Sequence, residues 1–170
     1  MPEPTVPDTL VIDAATEACS VALIRAGTVV AGDWRLLGRG HAEQLVPMIA
    51  ALPDRGRAPR IAVARGPGSF TGLRVGLAAA RALALAWGAE LVGYPTLALI
   101  AAQARAEARA RMGAADEAIC VATTGGHGEW FMQGFDGSGH PVDQLVSATP
   151  EAAAALAQAE LVAGSQAEAL

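Results

Sequence analysis

An α/β fold is predicted by three features of this 170-residue chain. Short β-favouring runs alternate with segments of helical spacing. A glycine turn, Gly66-Pro67-Gly68-Ser69-Phe70-Thr71-Gly72, joins an apolar run ending at Ala64 to a long Ala-rich segment. Hydrophobic residues make up 52% of the chain, enough for one globular domain or two small lobes sharing a core.

The first elements are strands joined by tight connections: Leu10 to Asp13, Cys19 to Ile24, and Thr28 to Trp34. Leu45, Met48, Ile49 and Leu52 recur at helical spacing, so His41 to Leu52 is an amphipathic helix despite Pro47. A loop over 54–59 precedes a strand at Arg60 to Ala64. After the glycine turn, Leu73 to Trp87 is helical by composition, with Gly88 placed to close it. Glu90 to Tyr94 is a strand, and Thr96 to Arg111 a helix behind Pro95. Ala118 to Ala122 and Glu129 to Phe135 form a hairpin around a wide glycine-rich turn. Gln144 to Ser147 is a last short strand, and Pro150 to Leu161 a helix started by Thr149-Pro150. No repeat of solenoid period is present.

Composition removes several classes. Formal net charge is -5 with no Lys/Arg block, which disfavours non-specific nucleic-acid binding by this chain; Arg55, Arg57 and Arg60 form a candidate local basic patch. Cys19 and Cys120 read as buried thiols in a reducing compartment. The start MPEPTVPDTL lacks the basic and apolar regions of a signal peptide. Arg74 and Arg81 interrupt the one long Ala/Leu segment, which argues against a membrane span.

The glycine turn admits two readings. A phosphate loop of the P-loop type needs Lys and Ser/Thr after its last glycine, whereas Leu73 and Arg74 follow Gly72. A glycine turn entering a helix still offers backbone N–H groups to an anion, with Asp13 and Thr16 at the end of the first strand as neighbours. Equally, Gly66, Gly68 and Gly72 serve a sharp turn and close packing. Ser69 is not flanked as Gly-x-Ser-x-Gly, and His41, His127 and His140 have no orienting partner at fixed spacing, so a serine hydrolase is disfavoured. No His-Glu-x-x-His is present, so a zinc peptidase is disfavoured too.

The helix behind the turn carries a different signal. Gly72, Gly76 and Ala80 recur every four residues, a groove that lets another helix approach, with Leu73, Leu77 and Leu85 as apolar bulk nearby. Arg74 and Arg81 share a side and suit a partner's carboxylates. The alternative is packing of the small residues on the protein's own sheet. The paucity of charge favours a second buried side, a subunit interface. On this reading Gly76→Leu breaks association and leaves the fold intact.

These motifs in order, Ile12 to Leu23 (IDAATEACSVAL), His41 to Pro47 (HAEQLVP), Gly66 to Gly76 (GPGSFTGLRVG) and Leu91 to Gly93 (LVG), closely resemble the bacterial TsaB (YeaZ) family over residues 10–100. The resemblance implies an actin-like (ASKHA), ribonuclease-H-like fold, with an N-terminal lobe over 1–94 and an abbreviated C-terminal lobe over 95–170. It implies a cytoplasmic, non-catalytic subunit that binds the TsaD catalytic subunit in making threonylcarbamoyladenosine (t6A) in tRNA, beside a TsaE-like ATPase. It further implies a homodimer when isolated, and tRNA contact only through the complex. The partner surface would comprise His41, Glu43, Leu45, Met48, Thr71, Gly72, Leu73, Arg74, Gly76, Leu77, Ala80 and Arg81. Nucleotide would not be intrinsic: ATP or ADP would be bound weakly or at a complex interface, and the phosphate or nucleotide vicinity within this chain would be Asp13, Thr16, Gly66, Gly68 and Ser69.

No catalytic residue and no metal site is expected. The metal histidines of the catalytic sister align with Thr96 and Ile100, which cannot replace imidazole. Two departures from the family stand out. Asp-Ala-Arg-x-x-Glu-x-Tyr at the start of the second lobe is replaced by Thr124 to Phe131, with Gly128, Glu129 and an aromatic in common. Family members also run longer, so the second lobe is abbreviated or its last helices lie outside this sequence, which weakens any ATP cleft. The competing functions are an actin-like ATPase or small-molecule kinase and, further off, a peptidase.

Overall fold

The computed structural model describes residues 6–113, 117–157, 159 and 161–170. The first residues of the N-terminal segment, 1–5, and two positions of the helix expected over 150–161 lie outside the described residues. The chain divides into two compact units, Met1–Tyr94 and Pro95–Leu170.

In the first unit, strands β1 (Thr9–Asp13), β2 (Ala18–Arg25) and β3 (Thr28–Leu36) precede helix α1 (His41–Ala51). Strand β4 (Arg60–Ala64), helix α2 (Phe70–Trp87) and strand β5 (Glu90–Tyr94) follow. The sheet order is β3-β2-β1-β4-β5. β1, β2 and β3 run antiparallel in succession, whereas β1, β4 and β5 are parallel. This is the ribonuclease-H-like lobe that the resemblance implies.

The alternation of apolar residues explains which face the helices cover. Leu10 and Ile12 of β1 pair with Leu23 and Val21 of β2, and all four are buried with Ile61 and Val63 of β4. Against this face lie Leu45, Met48 and Ile49 of α1 and Ala80 and Ala84 of α2. Pro47 falls on the exposed side of α1, where the carbonyl it leaves unpaired meets water. α2 starts earlier than its composition predicts because Ser69 caps it: the Ser69 hydroxyl accepts from the Gly72 N–H at 3.2 Å. It ends as predicted at Gly88, which is left-handed (φ 65°) and donates its N–H to the Ala84 carbonyl.

The second unit opens with α3 (Thr96–Met112), then β6 (Ile119–Thr124), β7 (Trp130–Phe135), β8 (Val146–Ala148), α4 (Pro150–Leu156) and β9 (Leu161–Ala163). The sheet order β8-β7-β6-β9, with β6 antiparallel to β7 and parallel to β9, repeats the order of β3-β2-β1-β4. The two units thus share the order and pairing sense of four strands. Four strands among the described residues, against five in the first unit, make this the smaller sheet. Leu97 and Ala101 of α3 pack on Ile119, Val121 and Phe135.

One predicted element is corrected. The helix expected over Pro150 to Leu161 ends at Leu156, and Leu161 begins β9. Pairing with β6 from Ile119↔Leu161 to Val121↔Ala163 outweighs the helix propensity of the Ala-rich run. Gly164 completes the approach, since a Cβ there would lie 2.2 Å from the Ala122 carbonyl oxygen.

Gly72→Ala tests the tightest helix-to-sheet contact, because its Cβ would lie 2.0 Å from the Ala14 carbonyl oxygen. We expect a loss of about 3 kcal/mol or more, read by thermal unfolding. Gly88→Ala, with nothing within 4 Å of its Cβ, should cost only about 1–2 kcal/mol for its left-handed backbone. Equal losses at the two positions would contradict the packing account.

Candidate functional site at the glycine turn

The turn leaves β4 at Ala64 and enters α2 under tight restraint. The Arg65 N–H donates to the Tyr94 carbonyl at 2.9 Å, and the Ser69 N–H donates to the Ala15 carbonyl at 2.7 Å. A Cβ at Gly68 would lie 2.0 Å from the Ala15 oxygen, so only glycine allows the two backbones to meet. Two N–H groups that an anion would use, those of Ser69 and Gly72, already have protein acceptors. The Ser69 hydroxyl is likewise engaged as the cap. Of the two readings of the turn, close packing is the one its geometry displays.

The turn between β1 and β2 is held from every side. Asp13 Oδ1 accepts from the Ala15 N–H at 2.9 Å and Thr16 Oγ1 from the Ala18 N–H at 3.2 Å. The Glu17 carbonyl accepts from the Leu37 and Gly38 N–H groups at 3.0 and 2.9 Å. His41 Nε2 lies 3.0 Å from the Thr16 carbonyl oxygen, which requires it to carry the proton and donate. Tyr94 Oη lies 3.0 Å from Asp13 Oδ2 and 3.2 Å from the Ile12 carbonyl oxygen. Burial pushes the Asp13 carboxyl above its ordinary range, against the pull of the Ala15 N–H and the Tyr94 hydroxyl. Burial, then the facing Asp13 charge and hydrogen bond, raise the Tyr94 phenol, so it remains a donor.

Tyr94 is absent from the sequence-based site. Its role depends on register: Ile12 pairs with Val63 and Ala64 with Tyr94, so Asp13, Ala64 and Tyr94 form one row across three parallel strand ends. The small Ala64 in the middle lets the phenol reach across. The composition signal, a single tyrosine in the chain, does not by itself point to this contact.

The expected partner surface needs correction at six positions. His41, Leu45 and Met48 on α1 and Gly72, Gly76 and Ala80 on α2 are buried in the unit's own core. The small-residue stripe thus faces the protein's own sheet, because an Ala/Gly face is what lets α2 descend onto β1 and β4. A Cβ at Gly76 would lie 3.5 Å from Ala14 Cβ, with Val63 and Ile12 next. Gly76→Leu would therefore disturb the fold, contrary to the expectation that it leaves the fold intact.

Glu43, Thr71, Arg74 and Arg81 are exposed, and Leu73 and Leu77 half-buried. Around them the same two helices expose large apolar side chains: Val46 is 58%, Phe70 69% and Leu85 87% accessible. The Arg74 guanidinium lies 3.8 Å from the centre of the Phe70 ring. Phe70 and Val46 are missing from the sequence-based surface; Phe70 reads there as part of a turn, and Val46 sits beside Pro47.

The remaining candidates are placed as follows. Arg60 donates to Glu90 Oε2 at 2.7 Å, so one arginine of the basic cluster is paired, whereas Asp54 beside Arg55 pairs with Arg25. Cys19 and Cys120 are buried free thiols, both raised by burial. No cluster of three His, Cys, Asp or Glu suited to a metal occurs among the described residues. Thr96 is buried with its hydroxyl unpartnered, and Ile100 is half-buried. Glu129, the acid shared with the family pattern, accepts from the Ser147 hydroxyl at 2.6 Å. α2 is long and apolar enough to cross a membrane by length and composition. One side of it is buried on the sheet and the other carries Arg74 and Arg81.

Comparison with known proteins places this geometry in a family. The model of the family "TsaD: tRNA N6-adenosine threonylcarbamoyltransferase" matches residues 35–169. The TsaB protein of Escherichia coli, described as a tRNA threonylcarbamoyladenosine biosynthesis protein, is 44% identical over 93 residues, covering 52% of this chain and 40% of that protein. A tRNA N6-adenosine threonylcarbamoyltransferase of Anaeromyxobacter dehalogenans is 46% identical over 63 residues, 34% of this chain and 19% of that protein. The structure of YeaZ from Pseudomonas aeruginosa superposes with a TM-score of 0.72 at 27% identity, covering 85% of this chain and 68% of that one. The matches to the TsaB proteins of three bacteria span less than half of those proteins' lengths.

The raised pKa of Asp13 has a defined consequence for stability. Its protonated form is favoured in the folded state, so the carboxyl's stabilising contribution is complete below its ordinary value of 3.8 and is lost as pH rises through the folded value. Asp13→Asn should therefore gain melting temperature relative to the unsubstituted chain as pH is raised from below 3.8 towards neutrality. A difference that stays constant over that range would contradict the assignment.

Proposed function

The chain belongs to the tRNA N6-adenosine threonylcarbamoyltransferase (TsaD) family, in its TsaB/YeaZ branch, and on that basis we propose that it is a non-catalytic subunit in t6A synthesis. In this reading it binds a TsaD-like catalytic subunit and stabilises it. The observation that carries the proposal is the exposed apolar face of α1 and α2, where Val46, Phe70 and Leu85 stand out from their own core. Exposed apolar side chains interspersed with the exposed charges of Glu43, Arg74 and Arg81 suit a partner surface. Thr71 and the accessible parts of Leu73 and Leu77 belong to the same face.

The engagement of Asp13, Thr16, Ser69 and His41 in backbone restraint supports the non-catalytic part. Each of these groups has a partner inside the unit, and none is disposed as a nucleophile with its base. We further propose that the free chain self-associates through the same face, that a TsaE-like ATPase and tRNA are met only in the assembled complex, and that the setting is the cytoplasm. Nucleotide would belong to the complex rather than to this chain.

Light scattering coupled to size exclusion, with this chain alone and mixed with the TsaD-like protein of the same organism, tests the proposal. A 1:1 species formed at the expense of self-association is expected. Phe70→Glu with Leu85→Glu should weaken that complex by at least about thirtyfold while leaving the melting temperature nearly unchanged. No mixed species at micromolar concentration would refute the partner reading.

A further inference from the structure

In parallel α/β sheets ligands gather outside the carboxyl ends of the strands, where loops diverge and side chains from neighbouring strands converge. In the first unit those ends belong to β1, β4 and β5, and the acidic group among them is Asp13. A magnesium nucleotide bound there would need a carboxylate oxygen, because magnesium is held through hard oxygen ligands with little tolerance for altered geometry. Each Asp13 oxygen already accepts one hydrogen bond from the protein, which reduces the charge it can offer a cation. Oδ1 accepts from the Ala15 N–H at 2.9 Å and Oδ2 from the Tyr94 hydroxyl at 3.0 Å.

The Tyr94 hydroxyl has one proton and two acceptors within reach, since the Ile12 carbonyl is 3.2 Å away. Its backbone is fixed too, with the carbonyl accepting from Arg65 N–H at the start of the glycine turn. The phenol spans from β5 to β1 because Ala64, the residue between, is small and buried. A cation arriving at Asp13 Oδ2 therefore competes with the Tyr94 hydroxyl beside it, and displacing that hydroxyl costs its bond to the carboxylate and leaves it the Ile12 carbonyl alone.

We propose that Tyr94 is the residue that excludes a divalent cation, and with it a metal-bound nucleotide, from the strand ends of the first unit. The row Asp13, Ala64, Tyr94 acts as a built-in plug: a neutral donor occupies the position a cation would take. This is independent of the partner reading, because the row lies on strand ends and the partner face on the outer sides of α1 and α2. Failure of one leaves the other standing.

The test uses the whole chain with manganese as the probe, followed by water-proton relaxation, and magnesium with ADP followed by calorimetry. The unsubstituted chain should show no binding tighter than about 1 mM. Tyr94→Phe, which removes only the hydroxyl, should gain at least about tenfold in manganese affinity, and adding Asp13→Asn should abolish that gain. Tyr94→Leu serves as the second variant if the phenylalanine form melts below the assay temperature, and melting curves of each verify folding. Binding by the unsubstituted chain as tight as by the variants would overturn the proposal. So would a lack of gain in both variants.

Discussion

Two backbone carbonyls, those of Ala14 and Ala15, set the architecture of the first unit. They press so closely on the glycine turn that a single methyl at Gly68 or Gly72 would lie 2.0 Å from one of them. The Ser69 N–H to Ala15 bond fixes the separation, and the Ser69 cap then fixes where α2 begins. α1 is tied to the same turn through His41 and the Thr16 carbonyl. Both helices are thus hung from one short connection, and the direction of their outer faces follows from it. Gly76 and Ala80 continue the contact along β1 and β4, so α2 lies flat on the sheet over several turns.

That constraint uses up groups that would otherwise do chemistry. A glycine turn at the head of a helix is an anion site when its N–H groups point to empty space. Here Ser69 and Gly72 direct theirs to protein acceptors, and Asp13 and Thr16 stabilise the facing turn. The outer sides of the helices expose Val46, Phe70 and Leu85, and the edge strand β3 exposes Val29, Trp34 and Leu36.

Much of this is legible in the sequence, for physical reasons that differ by element. The alternation in Leu10 to Asp13 and the apolar run at Arg60 to Ala64 define strands because each buries one face, and Gly88 marks the end of α2 because only a left-handed residue closes it. The facing of α2 is only half legible: Arg74 and Arg81 mark its outer side, but Gly72, Gly76 and Ala80 fit a sheet as well as a partner. His41 misleads in the same way, since its burial depends on a carbonyl 25 residues earlier. Tyr94 and β9 are hidden because both depend on strand register, a long-range property. The Ala-rich run before Leu161 has helix propensity throughout, and only the presence of β6 converts its end to a strand.

The most direct measurement is hydroxyl-radical footprinting of this chain, free and mixed with the TsaD-like protein of its own organism. The account predicts that oxidation of Phe70, Leu85 and Val46 falls on mixing, whereas the buried Met48 and the exposed Trp34 on β3 keep their free-chain rates. Protection of Trp34 with Phe70 and Leu85 unchanged would place the partner on the sheet edge. That result would contradict the proposal that the partner is met on the outer side of α1 and α2.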